Sequence, residues 1–212
     1  DSFGTIISLN SSASLEMLYY RNNILHTYAL IALVCKLLTN HSKIAHEQLI
    51  EQTISLLSTL KDDLFLWQTP DQMRIQVKQV LTSLEAKDIA KQSKAHFWSL
   101  TDNTEQLSRI NLLAECMSES LQRLAIISSL ATRLAPTSKR NLEEKVVAIA
   151  KRLSVLNNIT APEFIDNKAQ STIINTMRAL GYIKVNDDGL LVATSTMSEL
   201  KNTVTNLVSI EV

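Results

Sequence analysis

The feature that most constrains the fold of this chain is a helix-start signal that recurs along it. A Ser, Thr, Asp or Asn is followed three residues later by Glu or Gln, the spacing of a capping box, in which each side chain accepts a hydrogen bond from the other residue's backbone N–H. The signal occurs at five places: Thr69–Gln72, Asp102–Glu105, Asn141–Glu144, Thr160–Glu163 and Thr196–Glu199. With only three glycines and three prolines in 212 residues, few positions disfavour a helix. The sequence therefore predicts a mainly α fold.

The caps and the spacing of apolar residues together place the helices. We expect them over 12–38, 44–66, 70–87, 104–134, 141–156, 167–180 and 196–208, with a short turn near 161–166. Apolar residues in the long helix that begins at 104 alternate in steps of three and four. That stripe indicates a core helix, although a helical partner could also cover it.

Two short hairpins interrupt the helical pattern. Residues 182–194 alternate around Asp188-Gly189, which is a strong turn signal. Residues 89–100 are a weaker candidate of similar length. Each hairpin follows a helix and precedes a capped one, so one order of elements is used twice.

This repetition predicts the architecture. Helix, helix and hairpin is the outline of a winged-helix unit, so we expect a helical bundle of repeated winged-helix-like units with short β-hairpins. One unit is expected over 1–103 and the second over 104–212. Residues 1–10 read as the tail of a hairpin whose first half is absent, which suggests an excised fragment.

Charge argues against a nucleic-acid partner. The 21 Lys and Arg balance 21 Asp and Glu, so no net field draws the molecule to phosphates. The helix that would enter a DNA groove, 167–180, carries only Lys168 and Arg178. The turn after it directs Asp187 and Asp188 toward the phosphates. A winged-helix-like regulatory or protein-interaction domain stays an alternative function, with nucleic-acid binding as its less favoured form.

A polar stretch directly precedes the most apolar run of the chain, Tyr28–Cys35. At 100° per residue its hydrogen-bonding side chains lie on both sides of a helix, and the Arg21 charge requires a carboxylate, phosphate or carbonyl partner if buried. These side chains either satisfy local groups or meet a partner. We therefore predict a substrate-binding or domain-docking site of six residues: Tyr19, Tyr20, Arg21, Asn22, Asn23 and His26.

The motifs predict no catalytic residue, no metal site and no cofactor in this chain. None of the four histidines has a carboxylate placed to orient it, apart from one ordinary helix-surface neighbour. Cys35 and Cys116 lie in apolar helical patterns without metal-ligand spacing, so we expect two buried free thiols. The apolar run is also far shorter than the roughly 20 residues that cross a bilayer, so no transmembrane segment is expected.

Three stretches carry a family resemblance: YYRNNIL at 19–25, LQRLAI at 121–126 and RLSVLNNITAPEFIDNKAQSTIINTMRALGYI at 152–183. In order and spacing, over nearly the whole chain, they resemble the C-terminal region of the bacterial membrane-associated glycerol-3-phosphate acyltransferases. The resemblance implies a parent enzyme at the cytoplasmic face of the bacterial inner membrane. That enzyme transfers an acyl group from acyl-CoA or acyl-carrier protein to the first hydroxyl of glycerol 3-phosphate, which begins phospholipid synthesis.

The family's catalytic motif is absent from this chain. In H-x-x-x-x-D the histidine is the general base and the aspartate orients it. The residues five positions after the four histidines are Ile31, His46, Glu51 and Thr101. The resemblance therefore implies a non-catalytic C-terminal accessory domain. Its expected partners are the N-terminal acyltransferase domain of the same polypeptide and, peripherally, the membrane.

We predict that the purified chain alone has no acyltransferase activity, because it lacks a general base with an orienting carboxylate. Release of CoA from acyl-CoA in the presence of glycerol 3-phosphate should stay at the level of the protein-free blank. Turnover that rises in proportion to the concentration of the chain would contradict this expectation.

Overall fold

The computed structural model describes the backbone of residues 11–157, 159 and 161–208, and the side chains of 24–103, 105–157, 159 and 161–208. The predicted hairpin tail at 1–10 lies outside these residues. The described elements are α1 (Ser11–Asn40), β1 (Ile44–Ala45), α2 (His46–Leu60), α3 (Pro70–Ala86), β2 (Ala90–Gln92), β3 (Phe97–Leu100), α4 (Thr104–Glu115), α5 (Ser118–Leu134), α6 (Lys139–Leu156), a short 3-10 helix (Pro162–Phe164), α7 (Asn167–Ala179), β4 (Ile183–Val185), β5 (Leu191–Ala193) and α8 (Ser195–Leu207). The prediction of a mainly α fold is confirmed.

Capping chemistry explains where several helices begin. At Thr69 the predicted capping box is complete: the hydroxyl accepts from the Gln72 N–H, and the Gln72 side-chain carbonyl accepts from the Thr69 N–H at 2.9 Å. Elsewhere a neighbouring residue takes the role, since Asn103 caps α4 and Ser138 caps α6. The spacing signal thus locates a helix start to within a few residues. Competition among adjacent polar side chains decides which one caps the helix.

Two predicted helices are wrong in length. The helix expected over 44–66 ends at Leu60, and the one expected over 104–134 is divided into α4 and α5. At the division, Lys36 of α1 donates to Glu115 at 2.8 Å and to the Ser118 hydroxyl at 3.2 Å. The Ser118 hydroxyl in turn donates to Glu115 at 2.7 Å. The Lys36 hydrogen bond lowers the pKa of Glu115 from its ordinary value, so the carboxylate is kept charged at the break.

The two cysteines differ in environment. Cys35 is buried, and its burial raises the pKa of the thiol to about 12. Cys116 lies at the break after α4 and is exposed. The prediction of two buried thiols is therefore correct for Cys35 and wrong for Cys116, because the helix that would have buried Cys116 does not continue through it.

Both predicted hairpins are present, and each is joined by a further backbone pairing. In the first sheet β3 lies between β1 and β2, with Ile44 opposite Trp98. In the second, β5 pairs with β4 and also with Thr137, which exchanges two backbone hydrogen bonds with Leu191. Gly189 in the second turn has φ 75°, a left-handed conformation that glycine adopts without steric penalty.

One order of elements therefore occurs twice. In the first half α1, β1, α2 and α3 precede the β2–β3 hairpin. In the second half α5, Thr137, α6 and α7 precede the β4–β5 hairpin. In the first half, β3 lies between β2 and β1. In the second half, β5 lies between β4 and Thr137.

The two halves share one hydrophobic core. Helix α1 packs along α4, and buried side chains from both halves form a continuous cluster. A polar contact also joins the halves, because the Tyr182 hydroxyl lies 2.9 Å from the Ser55 hydroxyl of α2. The surface of the first half is therefore fixed in place partly by the second.

The strongest polar connection lies just after α2, in the segment 61–69, which we name the α2–α3 loop. Asp63 accepts two hydrogen bonds from the guanidinium of Arg123 on α5, at 2.8 and 2.5 Å, and both side chains are buried. Beside it the Thr176 hydroxyl of α7 donates to Asp62 at 2.6 Å. A bidentate arginine–carboxylate pair has a defined geometry. The start of the loop is therefore tied to two helices of the second half.

We expect Arg123→Ala to lower the free energy of unfolding by about 3–5 kcal/mol, because it leaves the Asp63 carboxylate buried without its counter-charge. Arg109→Ala is the matched control: Arg109 pairs with Glu105 on an exposed helix surface, where such a pair is worth about 0–1 kcal/mol. Urea unfolding followed by circular dichroism measures both. Equal and small losses in the two variants would contradict a stabilising role for the buried pair.

Candidate functional site

The predicted site falls in the middle of α1, which begins at Ser11. The backbone of Tyr19, Tyr20, Arg21, Asn22 and Asn23 lies in this helix, but their side chains lie outside the described ones. Their role as a binding or docking site stays a prediction.

The sixth predicted residue, His26, is described. Its ring is half-buried, and its centroid lies 5.9 Å from that of Trp67, with the ring planes tilted by 60°. His26 therefore connects α1 to the α2–α3 loop.

Large apolar side chains are exposed on both sides of this contact. Phe65 is 84% exposed and Trp67 is 72% exposed, both in the α2–α3 loop. On α1, Ile24 is 54% exposed and Tyr28 is 46% exposed, one helical turn apart on the same side. We name these four residues the apolar face. Large apolar side chains that stay exposed are typical of interaction surfaces.

Side chains of the α2–α3 loop alternate between the core and the solvent. Leu64 is buried, and Leu66 packs partly buried against the core. Phe65, between the two leucines, and Trp67, after the second, face solvent. Phe65 has φ 54°, in the left-handed region that bulky residues rarely adopt. Such backbone strain persists only where the surroundings impose it. Here the Leu66 N–H donates to the Lys61 carbonyl at 2.8 Å, and this turn at the end of α2 encloses Phe65, whose side chain faces outward.

Two cavities flank the apolar face, and His26 lines both. The larger one, about 760 Å³, lies between α1, α3 and α4 and is bordered by Tyr28 and Trp67. The smaller one, about 350 Å³, contains Phe65 and the Asp63–Arg123 pair. The face is therefore bounded by an apolar cavity on one side and a charged one on the other.

The described histidines do not form a catalytic arrangement with carboxylates. The Trp98 indole N–H donates to Nδ1 of His46 at 2.9 Å, and the other His46 ring nitrogen is 4.0 Å from Glu47. Glu47 itself pairs with Arg74, which also binds Glu51. These contacts join α2, α3 and β3 structurally. Among the described residues there is no cluster of metal ligands, and no helix is both long and apolar enough to cross a membrane.

Fold and surface together define a mainly helical domain with an exposed apolar face. Residues 1–186 match the family described as the glycerol-3-phosphate acyltransferase C-terminal region. The chain belongs to this family, which confirms the resemblance drawn from the three sequence stretches.

Relatives carry the same name. The chain is 60% identical over 212 residues to the glycerol-3-phosphate acyltransferase of Colwellia psychrerythraea, covering all of this chain and 26% of that protein. It is 34% identical over 183 residues to that of Aeromonas hydrophila subsp. hydrophila, covering 86% of this chain and 22% of that protein. For Shewanella sp. (strain ANA-3) the identity is 33% over 188 residues, covering 89% and 23%. The chain thus spans about a quarter of the length of these relatives.

Sequence reasoning missed the α2–α3 loop. The stretch KDDLFLWQTP was assigned partly to a helix, although two acidic residues followed by Phe and Trp just before a capping box form an available signal. The left-handed conformation of Phe65 has no local marker, since neither Gly nor Asn occupies the position. Arg123, within LQRLAI, was not recognised as the partner of a carboxylate 60 residues away.

Replacing Phe65 by asparagine should raise the free energy of unfolding by about 1 kcal/mol, because asparagine tolerates the left-handed conformation and the phenyl ring makes few contacts. For a chain of this size that is a rise in Tm of about 2–4 °C. Phe65→Ala is the control, since it removes the ring and keeps the strain. Thermal melts in which both variants match the unaltered chain would show that the loop is not strained.

Proposed function

We propose that this chain is a non-catalytic C-terminal accessory domain of a glycerol-3-phosphate 1-O-acyltransferase, and that its apolar face packs against the N-terminal acyltransferase domain of the same polypeptide. The observation that carries the proposal is the pair of aromatic side chains, Phe65 and Trp67, held in solvent by a strained and anchored loop. The relatives are about four times longer than this chain, so each includes a large part that could cover the face.

The chemistry of the parent enzyme belongs to the proposal as well. It transfers an acyl group from acyl-CoA or acyl-carrier protein to the first hydroxyl of glycerol 3-phosphate, at the cytoplasmic face of the bacterial inner membrane. Its catalytic base lies in the acyltransferase domain, because no histidine of this chain is followed by the family's aspartate. Any contact of this chain with the membrane is peripheral.

The predicted polar segment fits the same role. The segment Tyr19–Asn23 directly precedes Ile24 of the apolar face in the sequence of α1. An apolar centre next to a rim of hydrogen-bonding groups is the usual composition of a protein interface. We propose that these residues dock on the acyltransferase domain rather than contact substrate.

The repeated order of elements supports a further part of the proposal, that the domain is a duplication of winged-helix-like units over 1–103 and 104–212. In a winged-helix unit a short strand precedes two helices, and a hairpin follows them. The second strand of the hairpin lies between the first hairpin strand and the short strand, as it does in both halves of this chain. In the second unit α7 directs Thr176 to Asp62 of the first unit. With no net charge to attract phosphates, the units are proposed to act in packing and not in nucleic-acid binding.

Docking is tested by mixing the chain with the remainder of the Colwellia psychrerythraea enzyme, expressed separately, and measuring association by calorimetry. We expect the double substitution Phe65→Ser and Trp67→Ser to weaken association at least about 30-fold, since one central aromatic residue of an interface contributes about 2 kcal/mol or more. Val155→Ser is the control, because Val155 is equally exposed, at 82%, on α6. It should leave association unchanged.

Two outcomes would contradict the proposal. One is a double variant that associates as strongly as the unaltered chain. The other is a chain that ignores the acyltransferase part but binds phospholipid vesicles through Phe65 and Trp67, which would assign the apolar face to the membrane instead.

A further inference from the structure

The larger cavity has the properties of a binding site in its own right. Helix α1 forms its floor, and α3 and α4 form its walls. Its volume of about 760 Å³ lies within the range of roughly 300–1,000 Å³ found for small-molecule sites. Aliphatic side chains from all three helices line it, among them Ile31, Met73, Val80, Leu84, Ile110 and Leu113. Its occupant should therefore be mainly hydrocarbon.

The lining residues of the cavity extend along most of α3. Met73 and Lys87, which line it at either end of α3, are fourteen residues apart, which corresponds to about 21 Å at 1.5 Å per residue. One acyl chain of a bilayer leaflet spans about 15 Å, half of the hydrocarbon core. An α-helix of the same length, about 10 Å across, fills roughly 1,600 Å³, about twice the volume available. The dimensions favour a single extended chain over a helix.

The lining of the cavity includes two basic residues. Among the described lining residues, the permanently charged ones are Lys87, just after α3, and Arg109 on α4. Lys87 is exposed, and Arg109 donates to Glu105 at 2.7 Å. The opposite end is lined by Trp67 and Met73, which carry no charge. A ligand with an apolar tail and an anionic head would complement both ends.

We propose that this cavity binds one long, unbranched acyl chain, with an anionic head group beside Lys87 and the tail directed along α3 toward Trp67. The cavity adjoins the apolar face, because Tyr28 and Trp67 line it, but Phe65, the most exposed residue of that face, does not. A free fatty acid and the acyl chain of an anionic lipid share the required chemistry.

The test is calorimetric titration of the folded chain with dodecanoate below its critical micelle concentration. Octanoate should bind about 200-fold more weakly, since it lacks four methylene groups and each buried methylene contributes about 0.8 kcal/mol. A second titration uses a short-chain anionic lipid that stays monomeric rather than micellar lysophosphatidate. Comparing the two affinities shows whether the cavity prefers a lipid or a free fatty acid. Absence of dodecanoate binding, or equal affinity for octanoate, would overturn the proposal.

Two pairs of variants locate the ligand. Ser83 is exposed on α3 and lines the cavity, whereas its neighbour Thr82 is exposed and does not. Ser83→Phe should weaken dodecanoate binding by about 10-fold, as loss of two buried methylene groups predicts, and Thr82→Phe should not. Lys87→Glu should weaken dodecanoate binding about 5-fold and spare dodecanol, and Lys78→Glu, outside the cavity, should affect neither.

Several results would overturn the site. Equal dodecanoate affinities of the Ser83→Phe and Thr82→Phe variants would show that the tail does not lie in the cavity. An unchanged dodecanoate affinity of the Lys87→Glu variant would show that the head group does not lie beside Lys87. Dodecanoate must also bind this cavity in the complete polypeptide. If another segment of the polypeptide fills the cavity, dodecanoate is excluded and the proposal is wrong. Phe65→Ser should retain dodecanoate binding even if it abolishes docking, so failure of the docking proposal is distinguishable from failure of this one.

Discussion

A buried ion pair between Arg123 and Asp63 determines how this molecule presents its surface. The pair is bidentate and almost free of solvent, so its charges are stable only while both partners stay in place. It ties the segment after α2 to α5, and the adjacent Asp62–Thr176 hydrogen bond ties it to α7. The loop that these contacts anchor contains Phe65, in a left-handed conformation, and the exposed Trp67.

This arrangement explains why a stable domain keeps aromatic residues in water. Burying an aromatic side chain of about 150–250 Å² provides about 4–6 kcal/mol at about 25 cal/mol per Å², and the isolated chain forgoes most of that at Phe65 and Trp67. A partner that covers them recovers it. The relatives are about four times longer than this chain, and under the proposed accessory role the rest of such a polypeptide would cover the face.

Local chemistry in the sequence was enough to predict much of the fold. The capping box at Thr69 and the turn at Asp188-Gly189 depend on residues a few positions apart, and both are present. The pairing of Asp63 with Arg123, 60 residues later, could not be predicted from any local pattern. Of the predicted site residues, the structure describes the side chain of His26, which lies beside Trp67. The sequence pattern does not reveal the apolar face, because part of its loop has the pattern of a helix.

The most direct test is hydroxyl-radical footprinting of Trp67 and Phe65, in the isolated chain and in a complete polypeptide of the family that contains it. If the apolar face packs against the acyltransferase domain, both residues are oxidised rapidly in the isolated chain and are strongly protected in the complete polypeptide. Phe97, exposed on β3, serves as the internal reference and reacts equally in both. Equal oxidation of Trp67 and Phe65 in the two proteins would contradict the docking role.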